Sequence, residues 1–269
     1  MTEPLTNYNM IVLDQNLKNN SYVSLANTNV IRNAEKDENF YTANVTSFET
    51  LVKTGNQLYS VSATANLSQK YHTDSTELGH AIDFNIGKTG GAFRTDYNLS
   101  LMSDTYDPND MGYVRRNNEL EHSVDFSYNV YEPKGSLMMQ RYSLEFAYNQ
   151  LYNPRAFTSS AIELGSMIVF MNYWSLSLDA VVTPWGENDY YEPRTDDMSI
   201  YYHRSPGMMV GFRGDTDRSK KLYAELNMGY GINSSEYKQR GYEMVCAGFV
   251  QDRKEIFNRL FLCHGSYVK

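Results

Sequence analysis

The chain has 269 residues and a formal charge of −8, with Lys and Arg not gathered into a stripe. That argues against a nucleic-acid partner, because phosphate binding rests on clustered cations that displace counterions. No run of about 18 apolar residues exists to cross a bilayer as a helix, so a membrane location requires strands, and two cysteines, Cys246 and Cys263, are too few for a disulfide framework and form no zinc pattern.

Taken in chain order, the first strands are the less regular ones, expected at 8–14, 21–32 and 41–52. Alternation then becomes strict. Tyr59, Val61, Ala63, Ala65 and Leu67 oppose Ser60, Ser62, Thr64, Asn66 and Ser68, and Ile82, Phe84 and Ile86 oppose Asp83 and Asn85. Successive strand residues point to opposite sides of a sheet, so each such run has one apolar and one polar face. Phe93, Thr95, Tyr97, Leu99 and Leu101 repeat it against Arg94, Asp96, Asn98, Ser100 and Met102. So do Leu120, His122, Val124, Phe126, Tyr128 and Val130 against Glu119, Glu121, Ser123, Asp125, Ser127 and Asn129.

Farther on, Tyr142, Leu144, Phe146 and Tyr148 oppose Arg141, Ser143, Glu145 and Asn149, and a strand follows at 158–170. Trp174, Leu176, Leu178, Ala180 and Val182 oppose Ser175, Ser177 and Asp179, and Leu222, Ala224, Leu226, Met228 and Tyr230 oppose Glu225 and Asn227. Strands at 198–203, 208–213, 241–250 and 259–267 bring the expected total to about fourteen or fifteen. Many span about 9 to 12 residues, longer than the usual soluble strand and about what a tilted strand needs to cross a membrane. No segment competes as a helix.

Tyr is the commonest aromatic at 23 residues, against 12 Phe and 2 Trp, in a chain only 41% hydrophobic. A soluble core gains little from so many phenols, whereas a membrane barrel uses them as girdles with the ring in the headgroup zone and the hydroxyl wet. Connections are unequal in the way such barrels show. Glu132-Pro133-Lys134-Gly135 and the glycines at 87, 90 and 91 make tight turns, while 103–118 (SDTYDPNDMGYVRRNN) and 183–197 (TPWGENDYYEPRTDD) are long and polar. No linker or repeat divides the chain. The predicted fold is therefore all-β, an antiparallel up-and-down transmembrane β-barrel of about 14 strands forming one domain over 1–269.

Asp104, Asp107 and Asp110 recur every third residue, as ligands of a hard cation could. Their spacing is not that of an EF-hand, and Pro108 with Asn109 already accounts for the stretch as a turn. No metal and no cofactor is assigned. Asp189, Tyr190, Tyr191, Glu192 and Arg194 join paired aromatics to acids and a guanidinium, the groups that stack on sugar rings and bind their hydroxyls. They form the candidate ligand site, although an interfacial Tyr pair anchoring a strand end, with Arg194 paired to a neighbouring acid, accounts for the same residues. Asp196 and Asp197 make a poor catalytic dyad, since adjacent strand positions face opposite ways. The five histidines, 72, 80, 122, 203 and 264, suggest no nucleophile triad, and neither a Gly-x-Ser-x-Gly elbow nor a Walker-type loop is present. Arg115 and Arg116 read as a solvated loop pair that an anionic solute or a lipopolysaccharide phosphate could approach. On the polar faces, Arg94, Asp96, Asp125, Arg141, Glu145, Asp179 and Glu225 would point into a lumen, where charges of both signs hydrate a channel or lock it shut.

Four phrases, LTNYNMIVLDQNLKNNSYVSLANTNVIR (5–32), SDTYDPNDMGYVRRNN (103–118), LYNPRAFTSSAI (151–162) and DYYEPRTDD (189–197), carry a resemblance covering most of 5–235. The chain resembles uncharacterised outer-membrane proteins in which a carbohydrate-binding-like module of family 9 precedes a β-barrel domain of unknown function. The resemblance implies a barrel in the outer membrane of a Gram-negative bacterium. Its implied partners are membrane lipid and lipopolysaccharide, the barrel-insertion machinery and a carbohydrate ligand. It brings no catalytic residues. The chain departs from the pattern in lacking a signal peptide and the N-terminal module, and in ending on Lys269 rather than an aromatic residue, so a fragment of a larger barrel is expected. The expected role is passage or capture of a carbohydrate or other solute. The alternatives are a surface hydrolase using acids, such as Asp189, Glu192, Asp196 and Asp197, or a His from the long loops, and a soluble β-sandwich that binds carbohydrate with its apolar faces packed together.

Overall fold

A run that alternates over ten or more residues cannot satisfy its amides within itself, so its N–H and C=O groups must pair with neighbouring strands. The computed structural model of the chain follows that rule. It describes residues 5–33, 41–195, 198–234, 240–252 and 255–268, with side chains described for 5–32, 41–195 and 198–234. The strands are β1 (Leu5–Asn16), β2 (Tyr22–Asn33), β3 (Thr42–Lys53), β4 (Tyr59–Tyr71), β5 (Thr76–Lys88), β6 (Phe93–Met102), β7 (Glu119–Val130), β8 (Leu137–Leu151), β9 (Phe157–Phe170), β10 (Ser175–Thr183), β11 (Glu187–Asp189), β12 (Tyr202–Arg204), β13 (Gly207–Asp215), β14 (Leu222–Asn233), β15 (Arg240–Asp252) and β16 (Glu255–Val268). No helix occurs among the described residues.

Fourteen strands form one antiparallel path, β1 through β10 and then β13 through β16, each bonded to the next. The path begins at β1 and ends at β16, and no pairing closes it among the described residues. Only β11 and β12 lie off it, pairing with each other, while Glu187 of β11 also pairs with Ser159 of β9. The strand expected at 198–203 shrinks to β12 because its partner, β11, is three residues long.

Register confirms the faces. On one side of β4 to β6, Val61, Ala63 and Ala65 meet Ile86, Phe84 and Ile82, which in turn meet Tyr97, Leu99 and Leu101. On the other, Ser62 and Thr64 meet Asn85 and Asp83, which meet Asn98 and Ser100. Asn85 donates to Asn98 at 2.6 Å and Ser100 to Asp83 at 2.7 Å, so the polar face carries its own hydrogen bonds. From β9 to β14, Leu178 meets Ser166 and Phe212, and Phe212 meets Met228. The backbones of Cys246 and Cys263 are register partners on β15 and β16.

Residue contacts divide the chain into two compact units, one of Met1–Gly91, Thr95–Ser123 and Asn149–Phe157, the other of Ala92–Arg94, Val124–Tyr148 and Thr158–Lys269. In each, the apolar side of the strands is left uncovered. Ile86 is 46% exposed in the first and Leu178 51% in the second, with Phe48, Leu67, Phe146 and Leu176 also exposed. Among the residues with described side chains the buried apolar ones are few: Val30, Ala43, Ala81, Tyr106, Leu120, Leu151, Tyr190 and Tyr223. Several of the short turns follow odd-numbered strands. The one after β7 uses Gly135 at φ 61°, a left-handed conformation that a side chain disfavours. The long connections, 103–118 and 184–206, follow β6 and β10.

Candidate functional site

The connection 103–118 does not stand free. Ser103 is fixed first, its N–H donating to the His80 carbonyl at 2.9 Å and its Oγ accepting the His80 N–H at 3.0 Å. Thr105 then donates to the Leu78 carbonyl at 2.7 Å. From there the backbone turns across the polar face of β5 and β4. A Cβ at Gly79 would run into the Thr105 carbonyl oxygen and the Tyr106 Cα, so only glycine lets the loop lie this close. The Asp107 N–H donates to Ser68 Oγ at 3.1 Å. Tyr106 is buried, and Val30, Ala43, Ala81 and Ser68, small or aliphatic residues at polar-face positions, are buried as well.

The three aspartates take three different partners. Asp104 accepts from Asn153 Nδ2 at 2.8 Å, Asp107 pairs with Lys70 on β4, and Asp110 pairs with Arg32 on β2. They converge on no common point, and no group of three metal-ligating side chains is found among the described residues. The Arg32–Asp110 pair is the more enclosed, its side chains 19% and 7% exposed. Tyr41 binds it together, donating to Asp110 at 3.2 Å while Arg32 and Lys70 each sit 5.0 Å from its ring centre. Burial pushes the Tyr41 hydroxyl up, helped by the Asp110 charge. Burial also works to raise the Asp107 carboxyl, but hydrogen bonds from Lys70 and Asn109 outweigh it and hold the group below its ordinary value. The far end of the loop is tied by Asn118, which donates to the Asn153 carbonyl at 2.8 Å and accepts the Asn153 N–H at 2.7 Å.

The aromatic and acidic loop is built otherwise. β11 and β12 form a three-residue hairpin closed by Arg204, which pairs with Glu187 at 3.2 Å and with Asp189 at 3.6 Å. Asp189 also caps the following turn, accepting the N–H groups of Tyr191 at 3.0 Å and Glu192 at 3.1 Å. Tyr190 is buried against Tyr201, ring centres 5.0 Å apart, and burial pushes its hydroxyl up. Of the five residues singled out from sequence, Asp189 and Tyr190 therefore hold the loop together. Tyr191, Glu192 and Arg194 lie on the turn it presents, Glu192 and Arg194 exposed and Tyr191 half-buried. It is Arg204, not Arg194, that is paired with Asp189. Asp196 and Asp197 lie outside the described residues.

A further polar-face network joins Arg213 and Arg218 to Asp215 and Glu225, with Arg213 3.1 Å from Glu225. Sequence reasoning placed Glu225 on this face but missed its cations. It missed Arg32 and Lys70 as partners of the 103–118 loop as well. The available signal was the run of small residues, Ala43, Gly79 and Ala81, on a face otherwise polar.

A family model described as Domain of unknown function (DUF5916) matches residues 1–262. The chain belongs to that family. No curated protein and no solved structure matches it. For this member of DUF5916, geometry is therefore the main guide to function: two long polar connections, one strapped across the strands and one held mostly by its own side chains, on an all-β sheet.

Proposed function

We propose that the chain is a membrane-spanning β-barrel of a Gram-negative outer membrane, its sheet closing on itself in lipid, that passes or captures a solute. A carbohydrate is the first solute to test, because the chain resembles proteins that carry a carbohydrate-binding-like module. Membrane lipid, lipopolysaccharide and the barrel-insertion machinery are the partners this reading implies.

The observation that carries it is the uncovered apolar face. In each unit, strand after strand leaves Leu, Ile, Phe and Tyr half-exposed on one side and hydrogen-bonds polar residues on the other. Burying apolar surface is worth about 25 cal/mol per Å², so a water-soluble chain would not leave this much uncovered, whereas hydrocarbon is its natural solvent. A hollow of about 470 Å³ between Phe93, Phe126, Tyr142, Leu164 and Leu178 lies on that same side and is of a kind acyl chains fill. The soluble sandwich would need these faces packed together. That no helix among the described residues is long and apolar enough to cross a membrane does not bear on crossing by strands.

The test is refolding from urea with and without detergent micelles, followed by circular dichroism and by gels of heated and unheated samples. β-structure and a heat-dependent mobility shift only with micelles are expected; clean folding in plain buffer would sink the reading. Swelling of liposomes in sugar solutions then tests the solute.

A further inference from the structure

We infer that the 103–118 segment is a strap folded over the polar face, and that it sets the size of solute the passage admits. This rests on the barrel reading, in which the polar face lines the lumen. The strap crosses from the end of β6 over β5 at Gly79 and over β4 at Ser68, and is tied by Asp107 to Lys70 and by Asp110 to Arg32 of β2. It thus lies with its own backbone over the polar faces of β5 and β4 and reaches β2 through the Asp110 side chain.

The ties that hold it are charged and polar. Apart from the buried Tyr106, its fixed points are two ion pairs, hydrogen bonds to Ser68, Leu78 and His80, and the bonds of Asp104 and Asn118 to Asn153. On the strap itself, Asp110 Oδ2 is buried without a hydrogen-bond partner. A segment held this way can be let go without unfolding the strands, since the strand ladders do not depend on it.

The experiment is planar-bilayer conductance of the refolded chain, with liposome swelling in sugars of rising size. Arg32→Gln with Lys70→Gln removes both cations, and Gly79→Val wedges the strap away through an independent contact. Because a constriction dominates the resistance of a pore, each variant should raise conductance about twofold or more and admit larger sugars. The charge-swapped R32D with D110R should return toward the native value. Equal conductance and equal size limits in native and released forms, with the heat-dependent gel shift intact in all, would overturn the strap alone. Loss of the gel shift in the native chain itself would overturn the barrel reading and the strap with it.

Discussion

The two long connections are both rich in acids, tyrosines and arginines, with Pro108 in the first and three prolines in the second, yet they are anchored differently. The 103–118 segment finds its partners on strands far away in sequence: Asp110 reaches Arg32, 78 residues back, and Asp107 reaches Lys70, 37 back. The 184–206 segment finds its ion-pair and ring partners in itself, through Arg204 with Glu187 and Asp189 and through Tyr190 on Tyr201, and touches the sheet by the backbone pairing of Glu187 with Ser159 of β9. Each also depends on one glycine. Gly79 lies in the strand beneath the first loop, whereas Gly186, at φ 72°, lies in the second loop, where a Cβ would strike the Arg204 carbonyl oxygen. A loop's composition therefore does not decide its role; what the strand faces beneath it offer does.

The largest expected effect follows from the most enclosed tie. Arg32→Ala leaves the Asp110 carboxylate 93% buried beside Tyr41 with its cation gone. Breaking a buried pair on one side costs about 3 kcal/mol, so amide exchange over 104–112, measured in micelles, should accelerate strongly while β4 and β5 stay protected. Unchanged exchange would mean that the loop is held by something other than this pair. Next in size are the glycines. Gly79→Ala forces a methyl into the loop backbone and should cost about 2 kcal/mol, again loosening 104–112 alone. Gly186→Ala should cost about as much through strain at positive φ, and its damage should be confined to β11 and β12. If either substitution loosened the other loop, the separate anchoring argued above would be wrong.

Most of the sheet was legible because period-two alternation has few explanations: seven runs show it strictly, and most strand ends in the structure lie within a few residues of the expected ones. The exceptions are instructive. β2 and β3 alternate less regularly because Asn27, Asn29, Asn44 and Thr46 occupy apolar-face positions, where Asn27 donates to Asn44 at 3.0 Å and to Thr46 at 2.9 Å. On the opposite face Val30 and Ala43 replace the expected polar residues, and they are buried where the strap is tied down. Periodicity carries no information about a segment that folds back onto a face, so the aspartates at 104, 107 and 110 were seen but their partners were not. The ligand site read at 189–194 fared differently. Its residues are adjacent in the chain and stay together in the fold, but local turn chemistry claims Asp189 and Tyr190 before any ligand could.

Acid provides a gentler way to release the first loop. The Asp107 carboxyl is held below its ordinary value in the folded chain, so its ion pair with Lys70 stabilises the strap at pH above the unfolded pKa of about 3.9. That contribution is lost as pH falls through the lower, folded value. Amide exchange of the strap should therefore rise on the acid side, below about pH 3.9, with little change between neutral and mildly acidic conditions. Asp107→Asn should flatten this response. A response centred near neutrality would assign the titration to another group.

The smallest effect is expected at the second loop. Arg204 is 55% exposed, so its pairs with Glu187 and Asp189 are shared with water and screened by salt. Arg204→Ala should cost under about 1 kcal/mol, and less again in high salt, measured by exchange at β11 and β12. Tyr190 on Tyr201 and the Asp189 turn should keep the loop's shape without it. That makes the variant useful for the ligand question. If Tyr191, Glu192 and Arg194 bind a sugar from the presented turn, Arg204→Ala should leave binding nearly intact, whereas E192A with R194A should weaken it about tenfold by removing hydrogen-bonding partners of the hydroxyls. Titration of both variants with the sugars used for swelling distinguishes the two: equal losses would mean that the turn only needs its shape, and no loss in either would remove this loop from consideration as a site.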